Sequence, residues 1–291
     1  MRILIVLGLL GAATRVLAQA PCPFDEPSMS FVGTAVEQST CLLRPVLRGG
    51  QLGPPSQKLP RPLTDIVGRR VRIARADLRR YLAAHNIAEA NLGGSLDEPL
   101  SSAKLPDGRI VPARYFIIHD VSTPNYLEKP FPANINDATW EWNDLQKRWS
   151  NTKVAHVFIN RVGDSATAVE FGYPLPDKRF GTKFARDRLK ESAKGLQLHV
   201  ELVQPRRTDP AGKSGNDAIA PMPGFFEAQI DRLALIYVAA SIRRGEWLIP
   251  AYHAAVDAGI LNAHDDPQNF DLNLWAERLD ALLKTLGKWS K

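Results

Sequence analysis

From about residue 110 onward the chain alternates between two hydrophobic rhythms, and this alternation restricts its fold more than any other feature. RYFIIHDVS, VAHVFINRVG, ATAVEFG and GLQLHVELVQ carry apolar runs of strand length. Helical patterns stand between and after them: INDATWEWNDLQKRW, PGFFEAQIDRLALIYVAASIRRG and LNLWAERLDALLKTLG. Apolar positions three and four apart build one face of a helix, and short β-rich runs bounded by turn residues build strands. Strands interleaved with helices predict an α/β fold, with a mixed central β-sheet flanked by helices over 110–291. A turn at Gly163-Asp164 joins two of the strands. Asn136 or Asp137 is the expected N-cap of the first helical stretch. Basic residues followed by Gly245 end the long helix.

The preceding part, 19–109, reads as an N-terminal arm and accessory helical segment. Residues 19 to about 65 are rich in Pro and Gly, as in RGGQLGPPSQKLPRP, and read as an extended, irregular arm. VRIARADLRRYLAAH has helical spacing and a basic outer face, with His85 at the helix end that favours a cation. The first twenty residues, MRILIVLGLLGAATRVLAQA, carry Arg2, an apolar run and then Val16-Leu17-Ala18. This is the pattern of a secretory signal peptide over 1–18, cut after Ala18. The run is short for a membrane span of about 20 residues. No other stretch is apolar enough, so no stable membrane insertion is expected after cleavage. The expected location is across the cytoplasmic membrane, in the periplasm, where nucleic acid is not an expected partner.

The two cysteines, Cys22 and Cys41, are then expected to form one disulfide. It would contribute about 3 kcal/mol by tying down the arm. Both lie far from the histidines, which argues against a cysteine-based zinc site. The chain is 44% hydrophobic and 23% charged, as globular proteins are. Its net charge of +6 suits a polyanion such as a cell-wall polymer, without selecting one. No coiled-coil or interface pattern fixes an oligomeric state.

Five of the six histidines lie in the α/β part: His119, His156, His199, His253 and His264. His119 ends an apolar strand, the place where α/β folds put their chemistry. On LQLHVELV the side chains alternate, so Gln197, His199 and Glu201 share one face and Leu198, Val200 and Leu202 the other. Burying polar groups without partners costs several kcal/mol. A structural hydrogen-bond network is one reason for their presence, and a site is another. Near the C-terminus, AYHAAVDAGILNAHDDPQNFD adds His253, His264, Asp265 and Asp266. A hydrolytic zinc takes three nitrogen or oxygen ligands and keeps one position open. His119, His253 and one aspartate would make such a set, with Glu201 as the base. No compact HExxH motif is present.

The order of FIIHDVS, AHVFINRVG, LHVELV, FFEAQIDRLALIYVAASI, AYH and DDPQNFD resembles the zinc-dependent N-acetylmuramoyl-L-alanine amidases. Peptidoglycan recognition proteins belong to the same superfamily. The resemblance covers about 110–285 and implies that fold for the domain at 110–291, preceded by an accessory segment. It implies Zn2+ held by His119, His253 and Asp266, the aspartate that directly precedes Pro267. It implies Glu201 as the catalytic glutamate. Family members often place a lysine two residues before the third ligand; His264 stands there instead, a departure that leaves two readings, a catalytic, oxyanion-steadying role when protonated or a further contact to the zinc. His156 matches a recurrent family histidine that is not a ligand. His199 and Asp265 match no family role. The interval from His253 to Asp266 is longer than the closest enzymes lead one to expect.

The implied substrate is peptidoglycan or muropeptides, cut at the amide between the muramoyl lactyl group and L-alanine. The alternatives are a non-catalytic peptidoglycan-recognition protein, a zinc hydrolase for another peptide bond, and a metal-free envelope protein. Trp140, Trp142 and Trp149 could meet sugar rings, though tryptophans at helical spacing more often fill a core.

Overall fold

The computed structural model describes residues 20–47, 50–149, 151–177, 181–189, 191–209 and 218–289. The signal peptide expected over 1–18 lies outside them. The N-terminal segment forms β1 (Phe24–Asp25), β2 (Ser30–Phe31) and three helices, α1 (Ala35–Leu42), α2 (Arg61–Ile66) and α3 (Arg75–Ala84). A small ladder, β3 (Ser102–Lys104) with β4 (Ile110–Pro112), leads into β5 (Tyr115–Asp120). Then come α4 (Leu145–Arg148), β6 (Val157–Ile159), β7 (Ser165–Thr167) and β8 (Gln197–Leu202). A two-residue pair, β9 (Arg207–Thr208) with β10 (Ala218–Ile219), precedes the long helix α5 (Glu227–Arg244). β11 (Ile249–Tyr252), the one-turn α6 (His253–Val256) and α7 (Leu272–Trp289) complete the order.

The central sheet runs β11-β5-β8-β6-β7. β11, β5, β8 and β6 are parallel, and β7 closes the edge antiparallel to β6. This is the mixed sheet flanked by helices that the sequence predicts. The register decides which side chains stand together. His119 pairs with Glu201, and Glu201 with Phe158. Tyr252 pairs with Ile118, so the next residue, His253, comes level with His119. Paired residues share a face, which puts His119, Glu201 and Phe158 side by side.

The opposite face is covered by α5. Thirteen of its eighteen residues are buried, as expected of a helix that is apolar nearly all round. Tyr237 stands at its centre, 5.3 Å from Phe116 of the sheet and 5.3 Å from Trp275 of α7. Each fully buried Leu, Ile or Val there stabilises the fold by roughly 1.5–3 kcal/mol. The helix stops at Gly245, whose φ of +77° is a left-handed cap that glycine adopts without strain.

On the site face the N-terminal arm supplies the cover. Phe31 meets Tyr115 edge-on at 5.4 Å and stacks on Phe184 at 5.4 Å. The Tyr115 hydroxyl donates to Gln38 and accepts from the Phe31 N–H. The Cys22–Cys41 disulfide closes this arm. At Gly50 the chain passes so close to the loop near the C-terminus that a Cβ would lie 2.7 Å from the Asp265 Cβ.

One expected helix is largely missing. INDATWEWNDLQKRW forms a 3-10 turn at Glu141–Asn143 and the single turn of α4. Its Asn and Asp side chains compete for backbone groups. Asn143 donates to the Asp137 carbonyl and accepts from the Arg161 N–H, and Asp144 rather than Asn136 or Asp137 caps α4. The freed tryptophans fill a second core: Trp140 and Trp149 are buried, with Trp149 stacked on Phe158 at 5.4 Å. Trp142 is only partly buried, under the Arg148 guanidinium. The expected strand ATAVEFG shortens to β7, and β11 is a strand the sequence pattern does not single out. Among the described residues no helix is long and apolar enough to cross a membrane.

Candidate metal centre

Two strand ends, one helix start and one loop converge on a single point. His119 comes from β5, Glu201 from β8, His253 from the first position of α6, and Asp266 from the loop before α7. His119 Nδ1 lies 2.8 Å from His253 Nδ1. Asp266 Oδ1 lies 3.0 Å from His253 Nδ1, and its Oδ2 3.6 Å from His119 Nδ1. Glu201 Oε1 is 3.9 Å from His119 Nδ1, while its Oε2 is buried with no hydrogen-bond partner. All three of His119, His253 and Asp266 are buried, and their ligand atoms lie within 4.8 Å of one another.

These three could hold a metal ion. Two neutral imidazoles and a carboxylate are the donor types that suit zinc, and three protein ligands leave a position open. Two ring nitrogens facing each other at 2.8 Å need a proton between them, and a cation can take its place. The unpartnered Glu201 oxygen beside them is the kind of buried polar atom that asks for an occupant. The residues present therefore fit the ion that the resemblance implies.

A second set of groups holds the first in place. The Asp120 N–H donates to Asp266 Oδ2 at 3.2 Å. The Asp120 carboxylate accepts from the Gln268 N–H, from Ser122 and, at 2.7 and 2.9 Å, from Arg206. On the far side of His253, Asp257 Oδ2 lies 3.1 Å from Nε2. That contact is off the N–H direction and acts as a close ion pair rather than an aligned hydrogen bond. The same carboxylate accepts from the Lys183 and Phe184 N–H groups and lies 3.0 Å from His264 Nδ1. His264 stacks on His253 with ring centroids 4.0 Å apart, its side chain 44% exposed. Behind His119, His199 Nδ1 lies 2.9 Å from His119 Nε2, and the His199 N–H donates to His156 Nδ1.

Burial and neighbouring charge divide these groups. Burial, then the positive His253, holds His119 well below the usual imidazole range. Burial and the adjacent His119 do the same to His199. Burial pushes His156 down to about 4. Burial also disfavours a charged His253, but Asp266 and Asp257 outweigh it and raise its pKa. Asp266 and Asp257 are lowered in turn: burial opposes this, and His253 overcomes it. Glu201 is pushed well up, first by burial and then by Asp266.

The centre opens into a cavity of about 330 Å3. Its lining combines the polar His119, Glu201, His253, His264 and Asp266 with the apolar Trp149, Val154 and Phe158. All five site residues read from the sequence therefore line one cavity. His156 sits behind the cavity rather than in it, bonded to Tyr173 and His199. Asp265 lines the cavity and accepts from Gln268. His85 lies outside it, stacked on Tyr81 at 4.1 Å.

Sequence reasoning missed Asp257, Asp120 and Arg206, and gave His199 no task. Asp257 had a legible signal. It stands four residues after His253 in AYHAAVDAGI, where one helical turn brings the two together.

No family model matches the sequence, and no curated protein matches it. A solved structure described as the crystal structure of a Se-Met AmpD derivative is 18% identical over 64% of this chain and 90% of that chain, with a TM-score of 0.35. This is a distant likeness of fold.

Proposed function

We propose that the chain is a zinc-dependent N-acetylmuramoyl-L-alanine amidase acting on peptidoglycan or muropeptides. One observation carries the reading: His119 Nδ1, His253 Nδ1 and Asp266 converge in a buried pocket with a carboxyl group beside them, at the positions the sequence resemblance implies. His119, His253 and Asp266 would hold the zinc. When bound, zinc supplies Lewis acidity to a water molecule and an amide carbonyl.

The remaining work falls to side chains of this chain. Glu201 lines the cavity with one oxygen free of hydrogen bonds, and burial raises its pKa, which makes its carboxylate a stronger base; once ionised it can take a proton from the attacking water and hand it to the leaving amine nitrogen. His264 lines the cavity and stacks on His253, which supports a role for it in steadying developing negative charge on the carbonyl oxygen. Trp149, Val154 and Phe158 add apolar surface to the cavity, which would limit water around the scissile bond. We take 110–291 as the catalytic unit and 19–109 as its accessory cover. A secretory signal pattern and a disulfide fit work outside the cytoplasm, in the periplasm.

The test is digestion of peptidoglycan by the purified protein, with and without a chelator, with fragments identified by mass. Metal-dependent release of stem peptides beginning with L-alanine is the expected result. Zinc binding without release would favour a recognition protein on the same scaffold, and folded protein that binds no zinc would sink both readings.

A further inference from the structure

Two histidines stand behind the ligand set with no part in it. His119 Nε2 lies 2.9 Å from His199 Nδ1. The His199 N–H donates to His156 Nδ1 at 3.0 Å, and His156 Nε2 lies 3.0 Å from the Tyr173 carbonyl oxygen. All three rings are buried. Hydrogen-bond chemistry fixes where their protons sit. A carbonyl can only accept, so His156 carries its proton on Nε2 and its Nδ1 accepts from the strand.

The other end of the chain of contacts is equally constrained. The Asp266 carboxylate, whose Oδ2 lies 3.2 Å from His253 Nδ1, can only accept, so that nitrogen carries a proton. His119 Nδ1 lies 2.8 Å from the same nitrogen and must accept. A neutral imidazole with an accepting Nδ1 carries its proton on Nε2. That N–H then points at His199 Nδ1, which accepts it.

We propose that His199 is a positioning residue for the metal: by accepting the His119 Nε2–H it locks the tautomer that turns the His119 Nδ1 lone pair toward His253 and Asp266. The inference rests on the zinc reading above. It has a specific consequence, because the His119 tautomer is the same with a proton or with a cation between the two Nδ1 atoms. Metal capture then requires no proton rearrangement on His119. Metal histidines are more often backed by a carboxylate or a carbonyl. An imidazole acceptor does the same task without adding negative charge to a pocket that already buries Asp266 and Glu201. His156 completes the support by fixing the His199 backbone.

The experiment uses the full chain and two readouts. In zinc-free wild-type protein with 15N-labelled histidine, NMR should show His119 as the Nε2–H tautomer. By chelator competition, His199→Phe should bind zinc 10- to 100-fold more weakly. His199→Asn, whose amide oxygen stands near the place of Nδ1, should recover most of that loss. A His119 protonated on Nδ1 overturns the inference, as does folded His199→Phe with wild-type zinc affinity. If His199→Phe does not fold, the wild-type tautomer decides. Wild-type protein that binds no zinc refutes the amidase reading, and the tautomer still tests this inference separately.

Discussion

Acidification should remove a calculable part of the fold's stability through His156 alone. This histidine is buried, and its two ring nitrogens serve the Tyr173 carbonyl and the His199 N–H. Burial lowers its pKa from 6.5 to about 4. Because the folded value lies below the unfolded one, the unfolded chain takes up the proton first as pH falls. Stability is therefore complete above about 6.5, declines between 6.5 and 4, and levels off below. The full shift corresponds to about 3 kcal/mol, and most of it should be gone by pH 4.5. Urea unfolding of chelator-treated wild type and His156→Gln across that range isolates the effect, since every other titrating group is common to both. The variant should be less stable at pH 7, where both hydrogen bonds count, and the gap should narrow by roughly 2–3 kcal/mol at pH 4.5. Parallel curves would show that the buried imidazole does not stay neutral, and would refute the tautomer assigned to it.

Three further outcomes are expected from the same geometry. Glu201→Gln should keep zinc, measured by metal analysis, while peptidoglycan cleavage falls by about 10²–10⁴. Full turnover in that variant would remove Glu201 from the mechanism. Arg206→Met should cost about 3 kcal/mol in urea unfolding. The reason is that burial pushes Asp120 up to about 7 even with Arg206 pulling the other way, and the guanidinium is what favours a carboxylate there. Replacing Cys22 and Cys41 together by serine should cost about 3 kcal/mol. The loss should be read by thermal or urea unfolding, because the bridge ties the arm that packs on Tyr115.

The sequence makes some of this legible for a clear reason. The alternation on LQLHVELV places His199 and Glu201 on one face without any knowledge of neighbours. The apolar run before His119 marks a buried strand end in the same way. What alternation cannot convey is register. That His119 stands opposite Glu201 depends on how two strands far apart in the sequence come together, and no local pattern encodes it. The same holds for His199 behind His119. The tryptophan stretch misleads for the opposite reason. Its spacing is helical, but its Asn and Asp side chains win the backbone groups and fold it into turns. Asp257 was within reach, because a His followed four residues later by Asp predicts contact wherever the chain turns helically.

The loop from His253 to Asp266 spans 13 positions and is fixed at both ends. His253 continues directly from the parallel strand β11, and Asp266 is tied to the Asp120 N–H. Residues inserted between Asp257 and His264 would therefore leave the geometry of the ligands untouched. The entropic cost of a longer loop grows slowly, by about 0.6 kcal/mol per doubling. The strands obey the contrary rule: deleting one residue from β5 or β8 would turn His119 or Glu201 to the face that α5 covers. Length variation among proteins built on this plan should accordingly collect in that loop and be absent from the strands. The loop is thus where a change in substrate preference could be accommodated without rebuilding the metal centre.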